Sequence, residues 1–308
     1  MQEMTFLSLI DKVDTFPYGS SDPYYQLLTH DKKACLGYIH PNVIEYLKDE
    51  KDLVTIQKEK KLILGSHLDT MEKRNTAFRI ITSKLRSQPE FDELDKGWRN
   101  ELYTIYYPTH KPYMLVERAF STFMGVITYG VHMNGFVPPE KSSNGKLKMW
   151  IPRRSSTKPT YPNMLDNTVA GGLGYPHGIM ETVIKECFEE AGLEDDFVKK
   201  HIRSADVLSY IYLPHPHNVQ PEVEYIFDIV FDNENEVLPE PQDGEAQDFN
   251  LLDIDTIIEK LKNNEFKPNC ALVIINFLQR HGYITPELES DYLEITHRSH
   301  RKLPFPTI

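Results

Sequence analysis

The stretch GGLGYPHGIMETVIKECFEEAGL, residues 171–193, constrains this chain more than any other. Its second half predicts a helix over Met180 to Leu193 that ends at a glycine. At about 100° per residue, Glu190 lies about 40° to one side of Glu186 and Glu189 about 60° to the other. Three carboxylates therefore share one face. Met180, Val183, Ile184, Cys187 and Ala191 gather on another face, which suits packing against a core. Like charges three and four residues apart repel, so such a face needs a counter-charge or full solvation. On KECFEE alone, a solvated acidic helix face is the better reading.

The upstream half supplies context. DNTVAGGL, residues 166–173, runs small residues directly into the helix. Glycines there let backbone and helix N-terminus come close to an anionic group. A hard divalent cation would neutralise the three carboxylates, because Mg2+ prefers oxygen ligands and bridges carboxylates to substrate phosphates. Bound to a diphosphate, it would offset charge and activate water for attack on phosphorus.

The 308 residues carry a formal charge of -12, with 40% apolar and 26% charged side chains. Such a chain has material for a sizeable core and is long enough for two domains. The acidic balance argues against nucleic acid or an anionic membrane surface as partner. A phosphorylated small molecule stays compatible, since a metal supplies local positive charge. Cys35, Cys187 and Cys270 form no metal-type spacing and read as reduced thiols, which fits the cytosol and equally the nucleus. The N-terminus has no signal-peptide pattern, and no run approaches a membrane span. Nothing in the sequence speaks to oligomeric state.

Residues 1–118 read as a mixed module: a helix over Asn42 to Leu47 after Pro41, a strand in KLILGS, a helix over Thr70 to Leu85, and a strand in RNELYTIYYP. From there the pattern changes. TFMGVITYGVHMNGFV and KLKMWIPRR read as strands. DVLSYIYLP and EVEYIFDIVFD read as a hairpin joined by HPHNVQP, and FNLLD precedes helices over Ile254 to Leu261 and Cys270 to Gln279. Arg153, Arg154 and Lys158 follow a strand and are candidates to clamp a diphosphate, or form a solvated basic turn. Tyr103, Tyr106 and Tyr107 offer stacking surface or core. His215 and His217 flank a proline with no third ligand identifiable, which reads as a loop and not a transition-metal site.

Residues 171–193 resemble a Nudix box. Gly171 takes the place of the box glycine, Glu186, Glu189 and Glu190 match the acidic core, and Gly192–Leu193 close it. Two positions depart, with His177 for the first glutamate and Lys185 for the arginine. Glu181, four residues before Lys185, is expected to pair with it in place of the lost ion pair. The resemblance implies an α/β/α sandwich with a mixed sheet, behind a smaller α+β accessory domain at 1–118, the Nudix domain being 119–308. It implies Mg2+ or Mn2+ held by Glu186, Glu190 and the carbonyl of Gly171, with Glu189 assisting catalysis. It further implies a downstream acid as ligand or general base. Glu245 in PEPQDGEAQDFNLLD is the first choice, with Asp243 and Asp248 behind it.

WIPRRSSTKPTYPNMLDNTVAGGL, WRNELY, ERAFSTFMGVITYGVHMNGFV and FKPNCALVIINFLQRHGYI resemble the thiamine-linked Nudix proteins of fungi and plants. That implies hydrolysis of oxidised or oxy thiamine diphosphate analogues to the monophosphate and phosphate. Two alternatives remain open: hydrolysis of nucleoside-diphosphate derivatives, and a catalytically silent module that senses a diphosphate.

Overall fold

A computed structural model describes residues 4–215 and 218–308. The N-terminal part begins with a short helix, α1 (Phe6–Ile10), capped by the Thr5 side chain. Strands β1 (Tyr25–Leu28) and β2 (Cys35–Ile39) pair antiparallel, and helix α2 (Pro41–Leu47) follows with Pro41 in its first turn. Strands β3 (Val54–Gln57) and β4 (Lys61–Leu64) complete a four-stranded sheet in the order β2-β1-β4-β3. Helix α3 (Met71–Arg86) buries Ala77, Phe78, Ile81 and Leu85, the spacing of one helical face. Helix α4 (Asp92–Lys96), the hairpin of β5 (Leu102–Tyr106) and β6 (Pro112–Glu117), and helix α5 (Arg118–Met124) finish this part.

The C-terminal part is built on β7 (Thr128–Val137), buried at all ten positions. A strand covered on both faces must be apolar or internally satisfied throughout. It is joined by β8 (Lys148–Arg154) and β9 (Val169–Gly172). The candidate helix α6 (Ile179–Ala191) and helix α7 (Asp195–His201) come next. Strands β10 (Ile202–Tyr212), β11 (Gln220–Val230) and β12 (Ala246–Asp253) follow, then helices α8 (Ile254–Lys262), α9 (Pro268–Arg280) and α10 (Tyr292–Ser299). The sheet runs β10-β11-β7-β8-β12, with β9 also on β7. The β7–β11 pair is parallel and the other pairs antiparallel, so the sheet is mixed. Helix α6 packs Val183, Cys187 and Ala191 on one face of the sheet, while α9 fills the other with Phe277 and its neighbours. This is the α/β/α layering that the resemblance implied, with the smaller sheet set before it.

Three differences from the sequence reading have clear causes. Thr122, Phe123 and Met124 belong to α5 and not to the following strand; the chain leaves the helix at Gly125, whose φ is +58°. Met180 is 42% exposed and Ile184 only half-buried, so the packed face of α6 is narrower than the apolar pattern. The segment from Leu9 to Val13 packs with the C-terminal helices and strands, although it opens the chain. Asp14 fixes it there, accepting hydrogen bonds from Arg301 at 2.8 Å and Arg298 at 3.1 Å.

Candidate active site

Strand β9 brings the glycines alongside α6. A Cβ at Gly171 would lie 2.4 Å from the Cγ and Cδ of Glu186, so only glycine lets the carboxylate of Glu186 pass this close to the backbone. One residue back, the N–H of Ala170 donates to Glu190 Oε2 at 3.1 Å. Backbone and helix are thus stitched together at Ala170–Gly171, with two of the three carboxylates at the seam. Glu189 points outward and is half-exposed. At the end of α6, Gly192 adopts φ +64° and the chain turns away.

Glu190 receives one backbone N–H and otherwise faces like charge. Burial raises its carboxyl well above the usual range, and the charges of Asp166, Glu186 and Glu245 raise it further. Glu186 is raised as well, mainly by burial. A small recess of about 50 Å3 is lined by Glu190, Glu245, Asp166, Arg154 and Lys267. Burial pushes the Asp166 carboxyl up, but Lys267, Arg154 and a 2.6 Å hydrogen bond from the Cys270 thiol overcome this and hold it at about 2. The recess therefore sets an ionised Asp166 beside Glu190, which has no cationic partner within ion-pair distance among the described residues.

Among the described residues, no group of three or more His, Cys, Asp or Glu side chains is gathered to hold a metal ion. The donor set nevertheless fits a hard divalent cation. Such ions often bind through one or two carboxylates and complete their shell with water and substrate phosphates. The partly enclosed, like-charged oxygens of Glu186 and Glu190 are what that chemistry requires.

Lys185 corrects one expectation. Its ammonium pairs with Glu186 at 3.0 Å and Glu189 at 2.8 Å, not with Glu181. Glu181 instead accepts the backbone N–H of Gly178 at 2.9 Å and lies 4.0 Å from His177 Nδ1. The reason is geometric: Glu181 sits in the first turn, where a free amide is nearer than a side chain a full turn ahead. Bracing of the loop thus passes to Glu181, and His177 shares it. Replacing Glu181 with alanine should speed hydrogen exchange at the Gly178 amide roughly fivefold, the usual scale of a lost cap. Unchanged exchange there would show that Glu181 does not hold the loop.

The basic candidates split. Arg154 is buried and committed: its guanidinium donates to Asp166 at 2.6 Å and to the carbonyls of Thr160 and Tyr161. It orders the 155–166 loop and Asp166, and does not reach out as a free clamp. Arg153 donates to the Asn163 carbonyl at 2.8 Å. Lys158 pairs with Glu245 at 2.6 Å, so it sits beside the candidate downstream acid. Asp243 accepts the backbone N–H of Glu245 at 2.8 Å, and Asp248 accepts from Asn250 at 2.7 Å; both shape the loop. His215 lies 3.4 Å from Glu93, and His217 falls outside the described residues.

Asp166 and Lys267 escaped the sequence reading. Asp166 stood in the quoted DNTVAGGL, but only its bonds to Arg154 and Cys270 mark it out. Lys267 precedes the proline that opens α9, a position that reads as a helix start. Among the described residues, its ammonium has no carboxylate within ion-pair distance.

The description "Domain of unknown function (DUF4743)" matches residues 6–128. Over its whole length the chain is 40% identical to "Uncharacterized protein YJR142W" of Saccharomyces cerevisiae, covering 94% of that protein. It is 34% identical to Nudix hydrolase 20, chloroplastic, of Arabidopsis thaliana, over 87% of this chain and 71% of the plant protein. With Nudix hydrolase 24, chloroplastic, of the same plant it shares 35% identity, over 87% and 70%. The fold and the carboxylate helix define a hydrolase of phosphorus-containing anhydrides. The chain belongs to the Nudix hydrolase family.

Proposed function

We propose that the protein is a Mg2+-dependent pyrophosphohydrolase, with Mn2+ as a substitute, that converts oxidised or oxy analogues of thiamine diphosphate to the monophosphate and phosphate. The observation that carries the reading is the set of Glu186, Glu190 and Glu245 around Ala170–Gly171, where Glu190 has one hydrogen-bond donor and three acidic neighbours. Glu186, Glu190 and the Gly171 carbonyl would hold the cation. When bound, it would neutralise the diphosphate and lower the pKa of a coordinated water.

The remaining work falls to the chain. Glu245, half-exposed at the rim, accepts a proton from the attacking water, and Lys158, 2.6 Å away, orients its carboxylate. Glu189 and Lys185 fix Glu186 from the solvent side. Arg153 and Arg154 act through the 155–166 loop that closes over this end of β8. Residues 1–118 serve as the accessory domain and 119–308 as the Nudix domain. Three free cysteines, two of them buried, fit a reducing cytosol.

A panel comparing oxy and oxidised thiamine diphosphates with nucleotide sugars, read as inorganic phosphate against nucleotide product, tests the reading. Phosphate release from the thiamine analogues that stops in chelator is the expected result. Preference for a nucleotide sugar would replace the substrate. Tight diphosphate binding with no metal-dependent turnover would make the protein a sensor.

A further inference from the structure

A cavity of about 600 Å3 opens where the two parts of the molecule meet, a size that suits a small organic ligand. Its floor is the face of β7 and β11 that carries His132, Glu222 and Glu224. Tyr103, Phe123 and Arg118 of the N-terminal part form one wall. Ala170 and Lys267 line both this cavity and the recess beside Glu190 and Glu245. The cavity and the carboxylate recess are thus neighbours that share the Ala170 and Lys267 walls.

The floor is rich in hydrogen-bond acceptors. Glu222 and Glu224 stand two residues apart on β11 and so share a face. The Tyr210 hydroxyl bonds to Glu222 Oε2 and lies 3.1 Å from Glu224 Oε1. It has one proton for two carboxylates. Gln220 donates to Glu222 at 2.5 Å, and His132 Nε2 lies 3.4 Å from Glu224. Burial pushes the His132 imidazole down, but Glu224 and Cys270 more than reverse this and raise it well above its ordinary value. Burial and the neighbouring Glu224 raise the Glu222 carboxyl to about 7, so the acidic pair holds more negative charge than His132 alone offsets only while Glu222 is ionised, and Lys267 stands at the border of the cavity.

A separate observation comes from Asn218, which lines the same cavity and is 5% exposed. Its Nδ2 donates to Thr122 at 3.2 Å, but its Oδ1 is buried with no partner among the described residues. An acceptor left so forfeits its hydration with nothing in return. At a cavity wall it calls for a donor that arrives with a ligand. The buried rings of Tyr103, Tyr129 and Phe123 supply flat apolar surface around the same space.

We propose that this cavity holds the organic group of the substrate, and that Glu222, Glu224 and Asn218 select a heteroaromatic ring that bears N–H donors or a positive charge. The inference rests on the diphosphate-hydrolase reading and adds the residues that choose among diphosphates. The accessory part then completes the specificity pocket, since Tyr103 and Arg118 come from residues 1–118.

The test uses the full chain with Mg2+ and two probes. Thiamine diphosphate carries a cationic thiazolium ring and an aminopyrimidine, whereas the uracil of UDP-glucose is neutral, has no amine and offers a single ring N–H. In Glu224→Gln the ratio of kcat/KM for thiamine diphosphate over UDP-glucose should fall at least about 10-fold, as loss of a buried charge partner predicts. Asn218→Leu, which removes the orphan acceptor at similar size, should fold at least as well and lower the same ratio. Free thiamine, which has no anhydride, reads the cavity without catalysis: wild type should bind it, and both variants should bind it at least about 10-fold more weakly. A wild-type ratio that persists in both variants, or free-thiamine binding that does not change, overturns the proposal while the hydrolase reading stands. Failure of wild type to cleave any diphosphate, read as phosphate or nucleotide product, overturns the hydrolase reading, and free-thiamine binding still decides the cavity.

Discussion

Glu190→Gln should lower phosphate release at least about 100-fold, the scale seen when one preorganised charge at a reacting centre is lost. The substitution keeps the shape and can still accept the Ala170 N–H that now reaches Glu190 at 3.1 Å. It removes one negative charge from a group that already includes Asp166, Glu186 and Glu245. In chelator the variant should therefore melt no lower than wild type, because repulsion between enclosed carboxylates has been relieved. Loss of turnover without loss of stability separates a functional carboxylate from a structural one. Near-wild-type turnover would remove Glu190 from the metal-binding set, and a much lower melting temperature would make it a structural residue.

Asp14→Ala should destabilise the protein by about 3–5 kcal/mol, the penalty for leaving a buried charge without its partner. The Asp14 side chain is fully enclosed, and Arg301 is nearly so. Arg301 would keep hydrogen bonds to the carbonyls of Phe16 and Pro17, at 2.6 and 2.8 Å, and its stacking over Tyr18, but no counter-charge from Asp14. Arg298 would lose its bond to the Asp14 carboxylate as well. The midpoint of urea unfolding measures the effect, and Arg301→Met in the Asp14→Ala background should recover part of it. A cost below about 1 kcal/mol would mean that the first helix is not held to the C-terminal core through this charge.

Much of the architecture could be read before any coordinates. Helices α2, α3, α6, α8 and α9 announce themselves by spacing and by end signals, such as Pro41 and Gly192. Strands β5, β7, β8, β10 and β11 follow from aromatic and β-branched runs between turns. Short elements such as β9 did not stand out, because four residues of Val-Ala-Gly-Gly carry no periodicity. Strand β9 is nevertheless the element against which Glu186 and Glu190 lie. The Lys185 expectation failed for a local reason: i,i+4 spacing allowed either Glu181 or Glu189, and the Gly178 amide claimed Glu181 first.

The sequence by itself determined the carboxylate helix, because helical spacing places Glu186, Glu189 and Glu190 on one face whatever surrounds them. It also determined the family, through the glycines and glutamates at fixed separations. Only the tertiary structure decided which basic side chains are free, because Arg154 is bound by carbonyls and a carboxylate up to twelve residues away. It alone united Lys267, Asp166 and Glu190 around one recess, and Glu222, Glu224 and Asn218 around one cavity. Those neighbours come from separate strands, loops and helix ends, so their meeting depends on sheet register and layer packing, which no spacing along the chain records.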